Sequence, residues 1–258
     1  MPKERLDVLL VESGLAESRS LAQRLIMAGE VRVNGQVEYK PAARVEQTAQ
    51  LEVTHGQRFV SRGGDKLESA MRAFHVDVTG QICADVGAST GGFTDVLLQS
   101  GARKVYAIDV GYGILHWKLR NDPRVVCLER TNARYLASLP EVVEFVTIDA
   151  SFISLKILLP VIRAWFPVEG GQAVALIKPQ FEAGRKEADR GEGVIQDPAV
   201  HRQVLEGVLT AAQGAGYQLL GLMRSPLLGP KGNVEFLLHL AYPGVRATDF
   251  NALIEAVI

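Results

Sequence analysis

Asp85-Val-Gly-Ala-Ser-Thr-Gly-Gly-Phe-Thr-Asp95 carries more structural information than any other stretch of this sequence. The apolar run Ile82-Cys-Ala precedes it and Val96-Leu-Leu follows it, so the pattern predicts a strand, a glycine-rich turn and the start of a helix. Glycines allow a tight turn and the close approach of a ligand to bare backbone. Ser89 interrupts the spacing G-x-G-x-x-G, so the dinucleotide-binding motif is incomplete.

An acidic residue follows the turn at the position expected for a ribose contact. Asp109 closes the run Lys104-Val-Tyr-Ala-Ile, about 20 residues after the turn, where its carboxylate can accept hydrogen bonds from ribose hydroxyls. Such an arrangement suits an adenosine-containing ligand, and a dinucleotide and S-adenosylmethionine are both candidates. A purely structural strand–helix turn is the alternative interpretation of the motif.

The composition is that of a soluble globular protein. The chain has 258 residues, of which 47% are apolar and 22% charged, enough for an α/β core and a small second module. Its net charge of −1 argues against bulk electrostatic binding of nucleic acid, although a local basic patch is compatible with it. Cys83 and Cys127 lie in apolar runs and are predicted to be buried thiols rather than metal ligands. With no signal-like segment and no membrane-spanning run, we expect a cytoplasmic protein without a metal.

Residues 1–60 have the pattern of a small α+β domain. Apolar residues at helical spacing predict two short amphipathic helices, with Gly14 between them and Ser18 as the N-cap of the second. Val31-Arg-Val-Asn-Gly-Gln-Val predicts a hairpin with its turn at Asn34-Gly35. Four arginines can gather on one face and contact phosphates, with a solvated helical face as the alternative: Arg5, Arg19, Arg24 and Arg32.

Residues 61–258 alternate strand-like and helical segments after a junction at residues 58–64. This alternation predicts a mostly parallel, Rossmann-like sheet with helices on both faces, whose ligands bind at the carboxyl ends of the strands. The strand-like runs end at Val86, Asp109, Cys127, Asp149, Ile177 and Met223, and a last one covers Val234–Ala241.

Charged residues follow several of these strands. Asp149 and Lys178 each end a buried run, Glu235 has apolar neighbours, and Lys66 begins the helix after the junction. Each alone is more often a solvated residue, but several at one sheet edge beside a nucleotide turn indicate a site. A lysine near a sulfonium cation can lose its proton and act as general base toward a hydroxyl, while carboxylates orient it. Methyl transfer is an in-line displacement, so alignment supplies much of the acceleration.

The motifs of the first domain resemble the S-four-type RNA-binding module. The resemblance covers nearly all of residues 3–55 and implies recognition of structured RNA through Arg5, Arg19 and the residues around the Asn34-Gly35 hairpin. Together with the basic face, this gives the predicted RNA-binding residues Arg5, Arg19, Arg24, Arg32 and Asn34. The matching motifs are Arg5-Leu-Asp, Gly14-Leu, Ser18-Arg19, Leu25-Ile and Gly29-Glu-Val-Arg-Val-Asn-Gly35.

The remainder resembles the FtsJ-like RNA 2′-O-methyltransferases. Asp85-x-Gly-x-Ser-x-Gly-Gly-Phe matches, and so does the order of Lys66, Asp149, Lys178-Pro and Glu235. The resemblance implies that these four residues form a catalytic tetrad acting on a ribose 2′-hydroxyl, with Lys178 as the base and S-adenosylmethionine as the donor. The cofactor-binding residues that it implies are Asp85, Gly87, Ser89, Thr90, Gly91, Gly92, Phe93, Asp109, Val110, Asn132 and Asp149. Thr90 replaces a proline that is common in the family, which leaves the detailed cofactor contacts open.

The whole chain is similar to the TlyA (haemolysin A) family, which joins the two modules. The most specific stretches are Val60-Ser-Arg-Gly-Gly-Asp-Lys-Leu, Gly111-Tyr-Gly-Ile-Leu-His-Trp-Lys-Leu-Arg and Ile177-Lys-Pro-Gln-Phe-Glu. The family implies methylation of ribosomal RNA in ribosomal subunits by residues 61–258, with residues 1–60 binding the RNA. The rival classes are a non-catalytic rRNA-binding or assembly factor, a cytolysin and, more remotely, a nicotinamide enzyme.

Two further features have open interpretations. His116-Trp117-Lys118 can stack on a base, but a buried aromatic residue beside the cofactor is the favoured reading. The charged, glycine-containing stretch of residues 183–193 is expected to be either a loop that orders over RNA or an ordinary solvated loop.

Overall fold

The computed structural model describes residues 3–27, 29–53, 58–184, 193–229, 231–244 and 249–258. The chain divides into two compact units, Met1–Arg58 and Phe59–Ile258. Most of the predicted loop at residues 183–193 lies outside the described residues.

The first unit is a small α+β fold. β1 pairs antiparallel with β4, and β2 pairs antiparallel with both β3 and β5. Around Leu6, Leu10 and Ile26 the helices pack against Val31 of the hairpin. In chain order its elements are β1 (Lys3–Arg5), α1 (Leu6–Glu12), α2 (Arg19–Met27), β2 (Val31–Val33), β3 (Gln36–Val37), β4 (Arg44–Glu46) and β5 (Leu51–Val53).

Two local predictions for this unit are confirmed. Ser18 caps α2, since its Oγ accepts a hydrogen bond of 3.3 Å from the backbone N–H of Leu21. Asn34 and Gly35 have φ values of 51° and 82°, so both central residues of the hairpin turn are left-handed, as a two-residue type I′ turn requires.

The second unit is built on a seven-stranded sheet in the order β11-β12-β10-β9-β6-β7-β8. Neighbouring strands from β10 to β8 are parallel, and β12 pairs antiparallel with β10 and β11. The predicted mostly parallel sheet is therefore confirmed. The elements are α3 (Gly63–Ala73), β6 (Ile82–Val86), α4 (Gly92–Gln99), β7 (Lys104–Ile108), α5 (Trp117–Arg120), β8 (Val125–Leu128), β9 (Phe145–Ile148), α6 (Leu155–Ile162), β10 (Gly171–Ile177), α7 (Pro179–Glu182), α8 (Pro198–Gly214), β11 (Gln218–Arg224), β12 (Phe236–Tyr242) and α9 (Asn251–Glu255).

Helices cover both faces of this sheet because its strands are apolar on both sides. In β6, Ala84 packs in a cluster with Leu158 and Leu205 of α6 and α8. The adjacent Cys83 faces the other way and packs with Leu67 and Leu97 of α3 and α4. Side chains alternate across a strand, so one run of buried residues supplies two cores. The carboxyl ends of β6, β7, β9 and β10 remain free to carry polar groups.

Candidate active site

The glycine-rich turn joins β6 to α4 in a conformation that depends on its glycines. Gly87 has φ +82°, and a Cβ at this position would lie 2.6 Å from the carbonyl oxygen of Asp149. Gly91 has φ +98°, and a Cβ there would overlap the side chain of Leu119. Both positions therefore need glycine for backbone conformation and for space. The close approach of Gly87 brings the predicted turn directly against the end of β9.

Asp109 fastens this turn to the end of β7. Its Oδ2 accepts a 2.8 Å hydrogen bond from the N–H of Ser89, and its Oδ1 accepts one of 2.7 Å from the N–H of Gly111. Ser89 itself has φ 50°, an unusual conformation for a residue with a side chain. Each carboxylate oxygen keeps a further lone pair, so Asp109 can also accept a hydroxyl.

Asp85 has a different environment from the other predicted cofactor residues. It is fully buried, with Oδ2 accepting from Thr94 Oγ1 at 2.7 Å and Oδ1 from Thr147 Oγ1 at 2.9 Å. Burial raises the pKa of Asp85 to about 6, and hydrogen bonds from the two threonines limit the rise. The carboxylate thus lies inside the fold, where it links β6 to β9 and α4.

A cleft of about 630 Å³ opens at this edge of the sheet. Six of the predicted cofactor residues line it: Gly87, Ser89, Asp109, Val110, Asn132 and Asp149. The other five do not line it: Asp85 is buried in β6, Thr90, Gly91 and Gly92 lie around the start of α4, and Phe93 is in the core. A larger cleft of about 1060 Å³ lies at the opposite, amino-terminal edge and contains none of the predicted site residues. The smaller cleft is the better candidate because the polar groups converge there.

The cleft has features that an adenosine-containing cofactor would use. Ser89 and Asp109 offer polar groups at its floor, while Val110 is 68% exposed and provides an apolar surface. Asn132 Oδ1 accepts from the N–H of Arg134, which leaves its amide N–H groups available for a ligand. This combination of an apolar wall and a few convergent polar groups fits S-adenosylmethionine.

Two of the predicted catalytic residues form a buried ion pair. Lys66 Nζ donates to Glu235 Oε2 over 2.5 Å. The side chains of Lys66 and Glu235 are 11% and 1% exposed, so water screens this pair little. Among the residues that the structure describes, Glu235 Oε1 has no hydrogen-bond partner although it is buried, a costly state for a carboxylate oxygen. It is therefore an open acceptor beside Lys66.

The other two predicted catalytic residues form a second ion pair. Lys178 Nζ lies 2.5 Å from Asp149 Oδ1 and donates to Ser151 Oγ over 3.1 Å. Within the described ranges, Asp149 Oδ1 has no partner with hydrogen-bond geometry, so the short contact with Lys178 is electrostatic and poorly directed. A small rotation of the ammonium group restores hydrogen-bond geometry without breaking the ion pair.

The sheet register explains why the two ion pairs lie at one edge. β9 and β10 are parallel, so Asp149 and Lys178, which follow them, emerge at the same edge. β12 runs the opposite way, and its first residue, Phe236, is paired with Ile177, the last of β10. Glu235, one residue earlier, is therefore next to Lys178. The structure brings the four predicted residues to the carboxyl edge beside the cleft.

In the first unit, a buried carboxylate organises two of the predicted RNA-binding arginines. Asp7 is fully buried and accepts hydrogen bonds of 2.9 Å from Arg5 Nε and Nη2 and from Arg19 Nε, and one of 2.7 Å from Gln23 Nε2. The Arg5 guanidinium, assisted by Gln23 and Arg19, holds the pKa of Asp7 well below its usual range. Arg5 and Arg19 are 37% and 54% exposed, so their outer N–H groups face solvent.

The remaining RNA-binding candidates lie on α2 and the hairpin. Arg24 is exposed on α2. Arg32 Nη1 donates to the carbonyl of Gly35 over 2.9 Å, and Asn34 Oδ1 accepts from the N–H of Gln50 at 3.0 Å. The side chains of Arg32 and Asn34 thus stabilise the hairpin. These hydrogen bonds would have to break or be shared before either side chain could bind a ligand.

The sequence interpretation missed a residue that stands out in the structure. Phe152 is 90% exposed, has φ 62° and lines the cleft. Its ring centroid is 4.9 Å from that of Phe181, three residues after Lys178. An exposed aromatic residue with strained backbone beside a candidate base indicates a functional role. Its position after Asp149-Ala-Ser was the only signal in the sequence, because strain and exposure are tertiary properties.

The preferred interpretation of Trp117 as buried is wrong. Trp117 is 71% exposed at the start of α5, while Leu119 of the same helix is 1% exposed and holds the helix on the core. Residues two positions apart on a helix are rotated by about 200°, so Leu119 and Trp117 point to opposite sides. The surface is therefore open to the base-stacking alternative.

Comparison with known proteins identifies both units. Residues 59–242 match the model of the FtsJ-like methyltransferase family, and residues 4–51 match the S4 domain. The chain is 47% identical to the 16S/23S rRNA (cytidine-2'-O)-methyltransferase TlyA of Mycobacterium tuberculosis, over 99% of this chain and 96% of the relative. It is 41% identical to Hemolysin A of Brachyspira hyodysenteriae, over 91% and 98%. A solved structure described as a candidate hemolysin from Streptococcus thermophilus has 45% identity and a TM-score of 0.75, covering 100% of this chain and 94% of the other.

Proposed function

The chain belongs to the FtsJ-like methyltransferase family and carries an N-terminal S4 domain, and on this basis we propose that it methylates ribose 2′-hydroxyls of ribosomal RNA. The observation that carries the proposal is the convergence of two lysine–carboxylate pairs at the carboxyl edge of the sheet. The pairs Lys66–Glu235 and Lys178–Asp149 lie beside a cleft whose polar and apolar groups suit an adenosine-containing ligand. The M. tuberculosis relative is named for cytidine, so 2′-O-methylcytidine is the expected product.

S-adenosylmethionine is the proposed donor, and when bound it supplies an electrophilic methyl carbon attached to a cationic sulfur. Asp109, Ser89 and Gly87 would hold its ribose and amino-acid portion, while Val110 and Asn132 would hold its adenine. The two lysines and two carboxylates balance to zero formal charge when both lysines are protonated, and carry a charge of −1 when Lys178 is neutral. The cationic donor and the RNA substrate therefore meet a site without a large net charge of its own.

Lys178 is the proposed general base. In its neutral form Nζ would accept the proton of the 2′-hydroxyl. The bound donor would supply the methyl group to the ribose oxygen and leave as the neutral thioether, which keeps the electron pair of the broken methyl–sulfur bond. Asp149 and Ser151 hold Nζ in position, as their distances of 2.5 and 3.1 Å support. Lys66 and Glu235 flank the hydroxyl, and the open acceptor Oε1 of Glu235 can orient the substrate. Alignment of the hydroxyl with the methyl carbon supplies most of the acceleration.

The S4 domain supplies the proposed RNA anchor. Arg5 and Arg19, fixed by Asp7, present N–H groups suited to phosphate oxygens. Because RNA binding and catalysis are assigned to different modules, the substrate must be large enough to contact both. We therefore expect methylation of ribosomal RNA in subunits and not of short RNA alone.

The test is to incubate purified protein with methyl-labelled S-adenosylmethionine and unmethylated ribosomal subunits, and then to digest the RNA to nucleosides. Label in a 2′-O-methylnucleoside supports the proposed reaction. Label on a base would keep the methyltransferase assignment and reject the role of the tetrad. Tight subunit binding without label would favour a non-catalytic rRNA-binding or assembly factor.

Relatives named hemolysin raise membrane lysis as a second activity. Among the residues that the structure describes, no helix is long and apolar enough to cross a bilayer. Leakage of dye from liposomes, with the protein and with a heat-denatured sample as control, measures lysis directly. We expect no leakage above the control.

A further inference from the structure

Two loops carry the proposed base and its partner, and a third carboxylate joins them. The first loop leads from Asp149 at the end of β9 to α6, and the second is the turn from Lys178 into α7. Glu182, the last residue of α7, reaches across to the first loop. Its Oε2 accepts a 2.6 Å hydrogen bond from Ser154 Oγ, and its Oε1 accepts one of 2.7 Å from the N–H of Leu155.

We propose that Glu182 is a positioning residue that holds Lys178 and Asp149 at reacting distance. Its hydrogen bonds to Ser154 and Leu155, called the clasp below, join the loop after Asp149 to the turn after Lys178. This inference rests on the proposed function and deepens it. Glu182 lies four residues after Lys178, and its partners lie five and six residues after Asp149. Each residue of the Lys178–Asp149 pair is therefore at most six residues along the chain from a hydrogen bond that involves the Glu182 carboxylate.

The contacts around the clasp show how position is transmitted. Between Asp149 and Ser154 lie Ser151, which accepts from Lys178 Nζ, and Phe152, which packs on Phe181. The hydrogen bond between Glu182 and Ser154 is the last of these contacts along the loop, farthest from Asp149. If it opened, the side-chain contacts named here that still hold the loop from Asp149 to Ser154 would be the Lys178–Asp149 ion pair, the Lys178–Ser151 hydrogen bond and the Phe152–Phe181 ring contact. The left-handed backbone of Phe152 stores strain that favours opening of this loop.

The chemistry of Glu182 fits a structural clamp better than a catalytic acid or base. Its two oxygens are both used by donors of the α6 start, so it takes the place of an N-terminal cap for that helix together with Ser154. Burial raises the pKa of Glu182, opposed by the hydrogen bonds from Ser154 and Leu155. It also lies outside the set of residues that line the cleft, whereas Phe181 and Ser154 belong to it.

The first test of this proposal measures the accessibility of Lys178 and does not depend on methyl transfer. A short pulse of acetic anhydride followed by mass spectrometry reports how readily each lysine is acetylated. We expect Glu182→Ala to speed acetylation of Lys178 about threefold or more, because local opening governs access to a held amine. Lys104, which makes a 2.5 Å ion pair with Glu141 at the amino end of β7, is the internal control and should be unchanged.

Turnover is measured on the same proteins. Glu182→Ala should lower kcat about tenfold to a hundredfold, as small misplacements of a reacting group do. Affinity for S-adenosylhomocysteine should stay within about threefold, since Asp109 and Asn132 are untouched. The pH–rate profile should also shift, because Lys178 loses part of its fixed surroundings. Glu144→Ala is the matched control, since Glu144 accepts from the N–H of Ile82 at 2.8 Å at the opposite edge.

The outcomes separate the proposals. Unchanged acetylation of Lys178 in folded Glu182→Ala overturns the clasp. Faster acetylation in a protein whose parent transfers no methyl group supports the clasp and rejects the proposed function. If Glu182→Ala exposes all its lysines and so is unfolded, Glu182→Gln is measured instead, since its amide keeps one acceptor for Leu155. Intermediate acetylation and intermediate kcat then support the clasp, and parental values for both overturn it.

Discussion

Lys66 Nζ donates a 2.5 Å hydrogen bond to Glu235 Oε2, although 169 positions of sequence separate the two residues. Lys66 lies in the first turns of α3, and Glu235 lies immediately before β12, the strand that runs against the direction of its neighbour β10. The reversal of β12 is what brings Glu235 to the carboxyl edge. In a fully parallel sheet, a residue before a strand would emerge at the opposite edge.

The role of Lys178 is tested by comparison with a lysine in a similar ion pair. Lys178→Ala should lower methyl transfer by about a hundredfold or more, since general bases contribute 10² to 10⁴. Affinity for S-adenosylhomocysteine, measured by calorimetry, should be nearly unchanged. Lys104→Ala removes an equally short ion pair at the amino edge and should retain full activity. Equal activity of both variants would refute the assignment of Lys178.

Asp109 should determine cofactor affinity. Its carboxylate holds the Ser89 and Gly111 N–H groups and faces the cleft, so Asp109→Ala should weaken binding of S-adenosylhomocysteine about tenfold or more, or roughly 1.4 kcal/mol. Asp122→Ala is the control, because Asp122 also accepts from the N–H two residues ahead, yet it does not line the cleft. Equal loss in both variants would mean that fold disruption, and not a ribose contact, explains the effect.

Asp7 should govern RNA affinity without touching RNA. Asp7→Asn removes the charge that anchors Arg5 and Arg19, so we expect subunit binding to weaken about tenfold and its dependence on salt to change. Asp7→Ala also removes the acceptor of four hydrogen bonds, from Arg5, Arg19 and Gln23, and should lower the stability of the unit more than Asp7→Asn does. Filter binding across salt concentrations and circular dichroism distinguish the two effects. Parental affinity in folded Asp7→Asn would contradict an organising role.

Asp85 should make stability depend on pH between about 4 and 6. Its folded pKa of about 6 is higher than the unfolded value near 3.9, so the native state loses stability as pH rises through this range. Asp85→Asn has no such titration. The difference in unfolding free energy, variant minus parent, should increase by up to about 3 kcal/mol from pH 4 to pH 7. Chemical denaturation at several pH values measures it, and a constant difference would show that Asp85 does not titrate there.

Phe152 should contribute more to substrate binding than to stability. Glycine tolerates φ 62°, but Phe152→Gly also removes the ring contact with Phe181 and raises the entropy of the unfolded chain, so stability should change by less than about 1 kcal/mol. Loss of the exposed ring should raise KM for the subunit. Phe152→Trp keeps an aromatic surface and should keep KM near that of the parent. Thermal unfolding and steady-state methylation measure the two quantities. A lower KM in Phe152→Gly would exclude a contact between this ring and the RNA.

Local sequence patterns were sufficient to predict the elements of the fold. Apolar periodicity and glycine position predicted all seven strands of the second unit with ends within one or two residues, together with the hairpin and the cap at Ser18. These features are local, because hydrogen-bond geometry and side-chain alternation act over a few residues. The order of lysines and carboxylates also indicated a family, and that assignment is confirmed.

Which of these residues contact one another depends on how the strands are assembled into the sheet. The antiparallel register of β12 puts Glu235 beside Lys178, and the approach of Gly87 to Asp149 joins the turn to the second ion pair. Burial separates Asp85 from the cleft, whereas exposure leaves Trp117 and Phe152 available. Contact between distant segments depends on strand direction, register and the space that packing leaves. Those quantities belong to the assembled sheet, so no single stretch of chain encodes them.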